Sequence, residues 1–294
     1  MRIASLQPSI TLTLHALGRL DLLCACTRYC IEALPELAAD HLTILPDSWS
    51  FDRPGNDYPG NDHPNSARPS NLDLLHATRP DLVLASVPYR LESLAAILKS
   101  GLPVLTLAPH SLADIYNDIR LIAAVSAAPA AGQALIDHFT QAIEATRAAA
   151  ISTHPPLVYC EEWGKPLIHS QHWVAELVTA AGGRFLGEPG SHTTPQQIAA
   201  ANPDILLFAW CGAGNRVPLE KLIVQRNWQH LTAVRNRRVF CIPDQYLNTP
   251  ATTLLEGLAC IAAAIHPTRF QHAELISLPT HPTALTPTSP IGTL

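Results

Sequence analysis

The chain has 294 residues, enough for two α/β lobes or one large domain. Hydrophobic residues make up 47% and charged residues 15%, which excludes disorder throughout. The net charge is −5 without a basic stripe, so we expect no nucleic-acid partner, because phosphate neutralisation needs clustered cations. No apolar stretch reaches the roughly 20 residues that a membrane-spanning helix needs, so no membrane span is expected.

The cysteines and the N-terminus both bear on the compartment. There are seven cysteines, an odd number, and no two have Cys-x-x-Cys spacing, which favours free thiols in a reducing compartment. The N-terminus enters a strand pattern at once, without the charged start, apolar block and cleavage site of a signal peptide. The sequence as written therefore predicts a cytoplasmic monomer. A misassigned start site would make the protein periplasmic or exported.

Strand and helix patterns alternate through the first 110 residues. Apolar runs predict strands at 2–6, 22–25, 42–45, 82–85 and 104–107. Helical periodicity predicts helices at 10–17, 71–78 and 91–99, the first of them capped by Ser9. Such alternation is typical of a mostly parallel sheet with helices on both faces. A segment rich in Pro and Gly at 46–69 breaks the pattern and is predicted to be a loop.

From residue 111 the pattern is helical for about 40 residues, and the part from 130 to 150 alone would span about 30 Å. The second half predicts strands at 157–160, 205–209 and 239–242, and helices at 173–181, 219–226 and 251–265. We therefore predict an α/β fold of two Rossmann-like lobes joined by a long backbone helix. The predicted divisions are 1–110, 111–153, 154–266 and a disordered Pro-rich tail at 267–294.

Several motifs, in this order along the chain, resemble the cobalamin and iron-siderophore substrate-binding proteins of ABC importers. They are Arg2-Ile-Ala-Ser-Leu-Gln-Pro-Ser, Pro80-Asp81-Leu82-Val83-Leu84-Ala85, Ala180-Ala181-Gly182-Gly183 and the stretch 228–240. Glu162-Trp163-Gly164-Lys165-Pro166 with His172-Trp173-Val174 is most similar to the members that bind cobalamin. The resemblance implies a non-enzymatic protein without a covalent cofactor, which holds a corrinoid between its lobes for an ABC permease or for retention inside the cell. Haem and ferric siderophores are the alternatives on the same scaffold.

Large aromatic and polar residues follow several of the predicted strands. In an open α/β sheet, ligands bind beyond the carboxyl ends of the strands, so we expect these side chains to bind the ligand in the cleft. Flat aromatic surfaces with polar edges suit a large amphipathic ligand such as a corrinoid, although Trp173 could instead pack in the core. The predicted ligand-binding residues are Tyr29, Trp49, Tyr89, Glu162, Trp163, His172, Trp173, Trp210, Cys211, Tyr246 and Asn248.

Two groups of residues could carry other chemistry. Glu161 and Glu162 are adjacent carboxylates, but neighbours in an extended segment point in opposite directions, which favours a hydrogen bond from Glu162 to ligand amides or ribose over acid–base catalysis. Cys30 and Cys211 follow strands, so they should face the cleft and react first with thiol reagents. They could also bind a metal ion whose identity the sequence does not specify. An enzyme or metallochaperone using Glu162, His172 and Cys211 is therefore the alternative of another class.

Two surface features complete the predictions. The turn Gly212-Ala213-Gly214 precedes a helix and could hold a phosphate, although it lacks a full dinucleotide or P-loop pattern. The resemblance also implies docking to a permease through one surface carboxylate on each lobe. Glu92 matches the first position by its local context, whereas Glu220 lies only near the second.

Overall fold

The computed structural model describes residues 1–37, 41–47, 51, 69–87, 91–151, 153–272 and 274–278. The strands of the first lobe are β1 (Ile3–Ser5), β2 (Leu23–Thr27), β3 (Thr43–Leu45), β4 (Leu82–Ser86) and β5 (Val104–Leu107). Its helices are α1 (Pro8–Ala16), α2 (Arg28–Ala33), α3 (Asn71–Thr78) and α4 (Leu91–Lys99), with a 3-10 turn at Leu20–Leu22.

Two helices, α5 (Leu112–Val125) and α6 (Pro129–Ala149), follow the first lobe. The strands of the second lobe are β6 (Leu157–Gly164), β7 (Leu167–His169), β8 (Arg184–Phe185), β9 (His192–Thr193), β10 (Ile205–Phe208), β11 (Val239–Cys241) and β12 (Ile276–Ser277). Its helices are α7 (His172–Ala180), α8 (Pro195–Ala201), α9 (Leu219–Gln225), α10 (Thr232–Arg235) and α11 (Leu254–Ile265), with a 3-10 turn at Asp244–Tyr246.

The first lobe is built on a parallel sheet in the order β3-β2-β1-β4-β5. Its three inner strands, β2, β1 and β4, are almost entirely buried, as expected of strands covered by helices on both faces. The chain reverses its direction of winding between β1 and β4. Beyond their carboxyl ends lies the place where open α/β sheets bind ligands.

The second lobe has a mixed sheet in the order β12-β11-β10-β6-β7-β9, with β8 also paired to β6. The three strands β6, β10 and β11 are parallel, whereas β7 returns antiparallel to β6. Strand β6 runs for eight residues, through Glu161 and Glu162 to Gly164. The predicted strand ends at Cys160, so both carboxylates belong to a strand rather than to the loop after it.

The helices α5 and α6 join the two lobes. Helix α5 begins at a capping box, in which the Ser111 hydroxyl accepts a hydrogen bond from the Asp114 amide, and it packs on α1 of the first lobe. Helix α6 begins with Pro129 in its first turn and packs on α5, α7 and α11. A Cβ atom at Gly132 would overlap the Ala123 side chain, so glycine allows the close approach of α6 to α5.

Two predictions made at the ends of elements are wrong. Helix α1 begins at Pro8 with Gln7 as its cap, so Ser9 lies buried inside the helix. Proline is favoured at the first helical position because its missing N–H has no partner there anyway. The predicted disorder from residue 267 is contradicted by Phe270, which packs against the core of the second lobe, and by β12, which pairs with β11.

The remaining domain limits, 1–110, 111–153 and 154–266, stay predictions. Most of the predicted loop at 46–69 and the chain after 278 lie outside the described residues. Among the helices that the structure describes, none is both long and apolar enough to cross a membrane.

Candidate functional site

A cavity of about 190 Å³ lies between the two lobes, beyond the carboxyl ends of their parallel strands. The first lobe contributes Val87, Pro109 and His110, which follow β4 and β5. The second lobe contributes Glu162, Gln171, Trp173, Cys211, Asn248 and Pro250. Both lobes therefore form the walls of one site, with mainly apolar surface on the first-lobe side and most of the polar side chains on the second.

Four polar side chains of the second lobe are joined by hydrogen bonds, and we call them the second-lobe wall: Glu162, Gln171, Cys211 and Asn248. The Gln171 amide donates to Glu162 Oε2 at 2.6 Å, and the Cys211 thiol lies 3.7 Å from Glu162 Oε1. The Asn248 amide donates to Cys211 Sγ at 3.2 Å and to the Ala209 carbonyl at 2.7 Å. Asn248 Oδ1 is buried and has no hydrogen-bond partner among the described residues.

Burial determines the protonation behaviour of the second-lobe wall. It raises the pKa of the Glu162 carboxyl, and the hydrogen bond from Gln171 opposes this effect. Burial also raises the pKa of the Cys211 thiol to about 12, and the negative charges of Glu162 and Asp244 act in the same direction. At neutral pH Cys211 is therefore a thiol that donates a hydrogen bond, not a thiolate poised to attack or to bind metal.

Glu161 points to the opposite face of β6, where it is fully buried. Its carboxylate accepts two hydrogen bonds from Arg226, both at 2.8 Å, one from the Tyr159 hydroxyl at 2.6 Å and one from the Trp210 indole at 2.8 Å. The Arg226 guanidinium also lies over the Trp228 ring, 4.8 Å from its centroid. We call these five residues the buried carboxylate cluster. Because Glu161 and Glu162 face apart, they do not form an acid–base pair.

A second, more open pocket of about 350 Å³ adjoins the cavity, and Cys211 lines both. Its walls include Trp163, Gly164 and Trp210. Trp163 is 43% exposed, and its indole donates to the Lys165 carbonyl at 2.8 Å. A Cβ atom at Gly164 would overlap the Trp210 ring, so the glycine lets the backbone of β6 lie against that ring.

The glycine turn after β10 does not offer a phosphate site. Gly212 and Gly214 both have positive φ, 75° and 59°, and their amides point at the same carboxylate. Asp244 accepts both hydrogen bonds, at 2.7 and 2.9 Å. The turn thus binds a carboxylate of its own chain, in agreement with the weakness of the phosphate-binding pattern in the sequence.

The predicted binding residues fall into three groups. Glu162, Trp173, Cys211 and Asn248 line the cavity, and Trp163 and Trp210 line the neighbouring pocket. Trp173 is 4% exposed, and its indole donates to the Leu247 carbonyl at 2.8 Å, so it serves the core as well as the cavity. Trp49 and Tyr89 lie outside the described residues.

The third group does not line either pocket. Tyr29 lies in the first turn of α2, and its hydroxyl accepts a hydrogen bond from Arg28. His172 is exposed at the start of α7, and the Tyr246 hydroxyl donates to Glu274 at 2.6 Å. These three residues are not among those that line the described pockets. Of the alternative enzyme trio, Glu162 and Cys211 line the cavity, whereas His172 lies between the lining residues Gln171 and Trp173 without lining it.

Cys30 does not face the cleft. It is fully buried in the first turn of α2, where its sulfur lies 3.3 Å from the Thr27 hydroxyl. The residues after β2 enter a helix at once, and this turn points Cys30 into the core of the first lobe. The prediction that Cys30 faces the cleft and is among the first thiols that a reagent reaches is wrong. Across the described ranges, no group of three or more His, Cys, Asp or Glu side chains is arranged to hold a metal ion.

Sequence reasoning missed His110, Gln171 and Arg226. His110 follows the predicted strand at 104–107, so the rule of strand ends could have found it. Gln171 precedes α7, after a strand that the sequence did not predict. Arg226 gave no signal, because it is 65 residues from Glu161 along the chain and their pairing is purely tertiary.

A cavity between two α/β lobes, which are joined by packed helices, defines a two-lobed binding protein. Residues 3–246 match the periplasmic binding protein family, and the chain belongs to that family. Both the predicted family resemblance and the predicted fold are confirmed.

The two carboxylates predicted to dock on a permease lie at the starts of helices. Glu92 is exposed and Glu220 is half-buried, each in the first turn of its helix.

Similar proteins come from several bacteria. The chain is 25% identical over 271 residues to a vitamin B12-binding protein of Vibrio cholerae serotype O1, an alignment that covers 87% of this chain and 86% of the relative. The crystal structure of the periplasmic vitamin B12-binding protein BtuF of V. cholerae has a TM-score of 0.66 and 22% identity, over 92% of this chain and 98% of that one. A periplasmic haem-binding protein of Pseudomonas aeruginosa has a TM-score of 0.74 and 18% identity, over 95% and 98%. The structural likenesses show the fold.

Proposed function

We propose that this protein binds a corrinoid in the cavity between its lobes and delivers it to an ABC importer. The observation that carries the proposal is the inter-lobe cavity itself, which continues through Cys211 into a pocket walled by Trp163 and Trp210. A corrinoid is large, flat and apolar in its centre, and its edge carries polar groups. Aromatic walls next to hydrogen-bonding side chains suit such a ligand. The vitamin B12-binding relative of V. cholerae supports the same ligand class.

Binding without chemistry fits the polar groups of the site. Glu161 is saturated by its partners in the buried carboxylate cluster, and the Cys211 thiol stays protonated. Neither group is prepared to move a proton or to attack a substrate. The protein is therefore proposed to hold its ligand unchanged.

Delivery requires a second surface. Glu92 on α4 and Glu220 on α9 are the carboxylates proposed to meet basic residues of a permease, one from each lobe. Delivery to an importer places the protein outside the cytoplasmic membrane. Retention of the ligand in the cytoplasm is the alternative, and fractionation of the native host with an antibody to this protein distinguishes the two.

Haem is the second candidate ligand, and His110 is the observation that favours it. Its imidazole lines the cavity from the first lobe, and histidine is a common axial ligand of haem iron. The corrinoid remains first because the described lining of the cavity includes a carboxylate, Glu162, and no lysine or arginine to pair with the propionates of haem.

The test is a titration of the purified protein with cyanocobalamin, dicyanocobinamide and hemin, followed by absorbance and by calorimetry. We expect saturable binding of one corrinoid per chain with a dissociation constant of about 1 μM or lower, about −8 kcal/mol. Hemin should bind more weakly. Tight hemin binding together with no corrinoid binding would overturn the proposal in favour of the second candidate.

A further inference from the structure

The charges around the inter-lobe cavity are one-sided. Among the described residues that line it, Glu162 is the carboxylate, and no lysine or arginine is present. Arg226 lies on the other face of β6 in its ion pair with Glu161, and Lys165 lies in the neighbouring pocket. His110 is the remaining basic side chain of the cavity. A ligand that brought several carboxylates against the second-lobe wall would meet a like charge there.

The second-lobe wall also has unused hydrogen-bond acceptors. A carboxylate can accept about four hydrogen bonds, and Glu162 receives one short bond from Gln171 and one long contact from the Cys211 thiol. Asn248 is held by its donation to the Ala209 carbonyl, which requires its nitrogen to face that oxygen. Its Oδ1 is buried without a partner among the described residues, so the accepting capacity at the cavity surface belongs to Glu162.

The free acceptor positions of Glu162 call for donors from the ligand, because a polar group that a ligand buries without a partner costs about 1–3 kcal/mol. Primary amides supply two N–H donors each and carry no charge. We propose that the second-lobe wall selects ligands with amide groups along the edge that faces it, and that it discriminates against ligands with carboxylates there. This inference rests on the proposed function and assigns its specificity to Glu162.

A matched pair of corrinoids tests the inference. Dicyanocobinamide carries amide side chains around the corrin ring, and dicyanocobyrinic acid carries carboxylates in their place. Calorimetry at pH 7.5 and low salt should show that the wild-type protein binds the amide form at least about tenfold more tightly, since sites that hydrogen-bond an N–H group reject analogues without one. Higher salt should narrow the difference, because screening weakens the repulsion between like charges.

The variant Glu162→Gln tests whether the charge of Glu162 causes the preference for the amide form. The variant removes the charge and keeps the shape, so it should bind the carboxylate form several-fold more tightly than the wild type does. Glu144→Gln makes the same change at an exposed position of α6 that does not line the cavity, and it should leave both affinities unchanged. Melting curves of both variants check that they are folded.

The outcomes separate the inference from the proposed function. Equal affinity of the wild type for both corrinoids would overturn the inference and leave the proposed function standing. Failure of the wild type to bind either corrinoid would overturn both. A tenfold preference that persists unchanged in folded Glu162→Gln would overturn the assignment to this residue. The wild-type comparison decides the main point even where a variant fails to fold.

Discussion

The two faces of β6 carry one carboxylate each, and the protein uses them differently. On the buried face, Glu161 accepts four hydrogen bonds from Arg226, Tyr159 and Trp210, and the cation of Arg226 balances its charge. On the cavity face, Glu162 has one short hydrogen bond and no cation beside it among the described residues. The saturated carboxylate stabilises the fold, and the unsaturated one remains available to a ligand. Alternation of side chains along a strand is what separates the two roles.

The largest effect is expected from breaking the buried carboxylate cluster. Arg226→Met removes the cation and leaves Glu161 charged, buried and without compensation. Loss of one partner of a buried ion pair costs about 3–5 kcal/mol. Urea denaturation should show a decrease of this size in the free energy of unfolding.

The control for this prediction neutralises both partners. Arg226→Met combined with Glu161→Gln leaves no uncompensated charge, so part of the lost stability should return. Glu162→Gln, on the cavity face, should change the free energy of unfolding by less than about 1 kcal/mol. If Arg226→Met lowered the free energy of unfolding no more than Glu162→Gln does, the buried face of β6 would not stabilise the fold more than the cavity face.

The two tryptophans of the neighbouring pocket are expected to differ in the same way as the two carboxylates. Trp163 is available to a ligand, whereas Trp210 also stabilises the fold. Trp163 is 43% exposed, so Trp163→Ala should weaken corrinoid binding by about 2 kcal/mol and leave the melting temperature nearly unchanged. Trp210 belongs to the buried carboxylate cluster through its hydrogen bond to Glu161, so Trp210→Ala should reduce both affinity and stability. Calorimetric titration and thermal unfolding measure the two effects separately. A large loss of stability in Trp163→Ala with unchanged affinity would make Trp163 a structural residue.

Much of the fold could be predicted from periodicity and helix signals. The limits of α3, α4 and β5 agree with the sequence to the residue, because each is a regular pattern with clear ends. The short strands β7, β8 and β9 were missed, since two or three residues are too few to show a period. Helix α8 was also missed, although Thr194 caps it and Pro195 begins it, a signal that the sequence contains.

The site was harder to predict, because strand ends identify a region but not the direction of each side chain. Cys211 and Asn248 follow strands and do line the cavity. Cys30 also follows a strand, but the short helix α2 turns it into the core. The buried carboxylate cluster depends on contacts between distant segments, which no local pattern encodes.

A smaller effect concerns pH and arises on the buried face. His169 pairs with Glu161 across β6 and β7, is 4% exposed, and has its Nδ1 without a partner among the described residues. Burial lowers the pKa of its imidazole, and its ring lies edge-on to Tyr159 at 5.3 Å between centroids. The unfolded chain therefore binds a proton more readily than the folded one. The stability that His169 confers is complete above about pH 6.5 and is lost as the pH falls below that value towards the lower pKa of the folded state.

The measurement is the free energy of unfolding in urea between pH 5 and 7.5. His169→Phe removes the titration and fills a similar volume, so its stability should depend less on pH in this range. His192→Phe, at a neighbouring exposed position, is the matched control and should keep the slope of the wild type. Equal slopes in the wild type and in His169→Phe would show that the buried imidazole does not contribute.

The smallest effect is kinetic and concerns the cavity face. Cys211 is exposed, whereas the other six cysteines are buried, so brief alkylation should label Cys211 first and leave Cys30 unmodified. The reaction should still be slow at neutral pH, because surrounding protein groups partly exclude water from the accessible sulfur. This desolvation and the nearby carboxylates raise the thiol pKa to about 12 and leave little thiolate. Glu162→Gln removes one of those charges and should accelerate labelling, whereas Glu144→Gln should not.

Dicyanocobinamide should protect Cys211 from labelling if it occupies the cavity. Mass spectrometry of the labelled peptides measures each rate. If dicyanocobinamide protects Cys211 but Glu162→Gln does not change the labelling rate, Cys211 belongs to the binding site. Its low reactivity then does not depend on the Glu162 carboxylate.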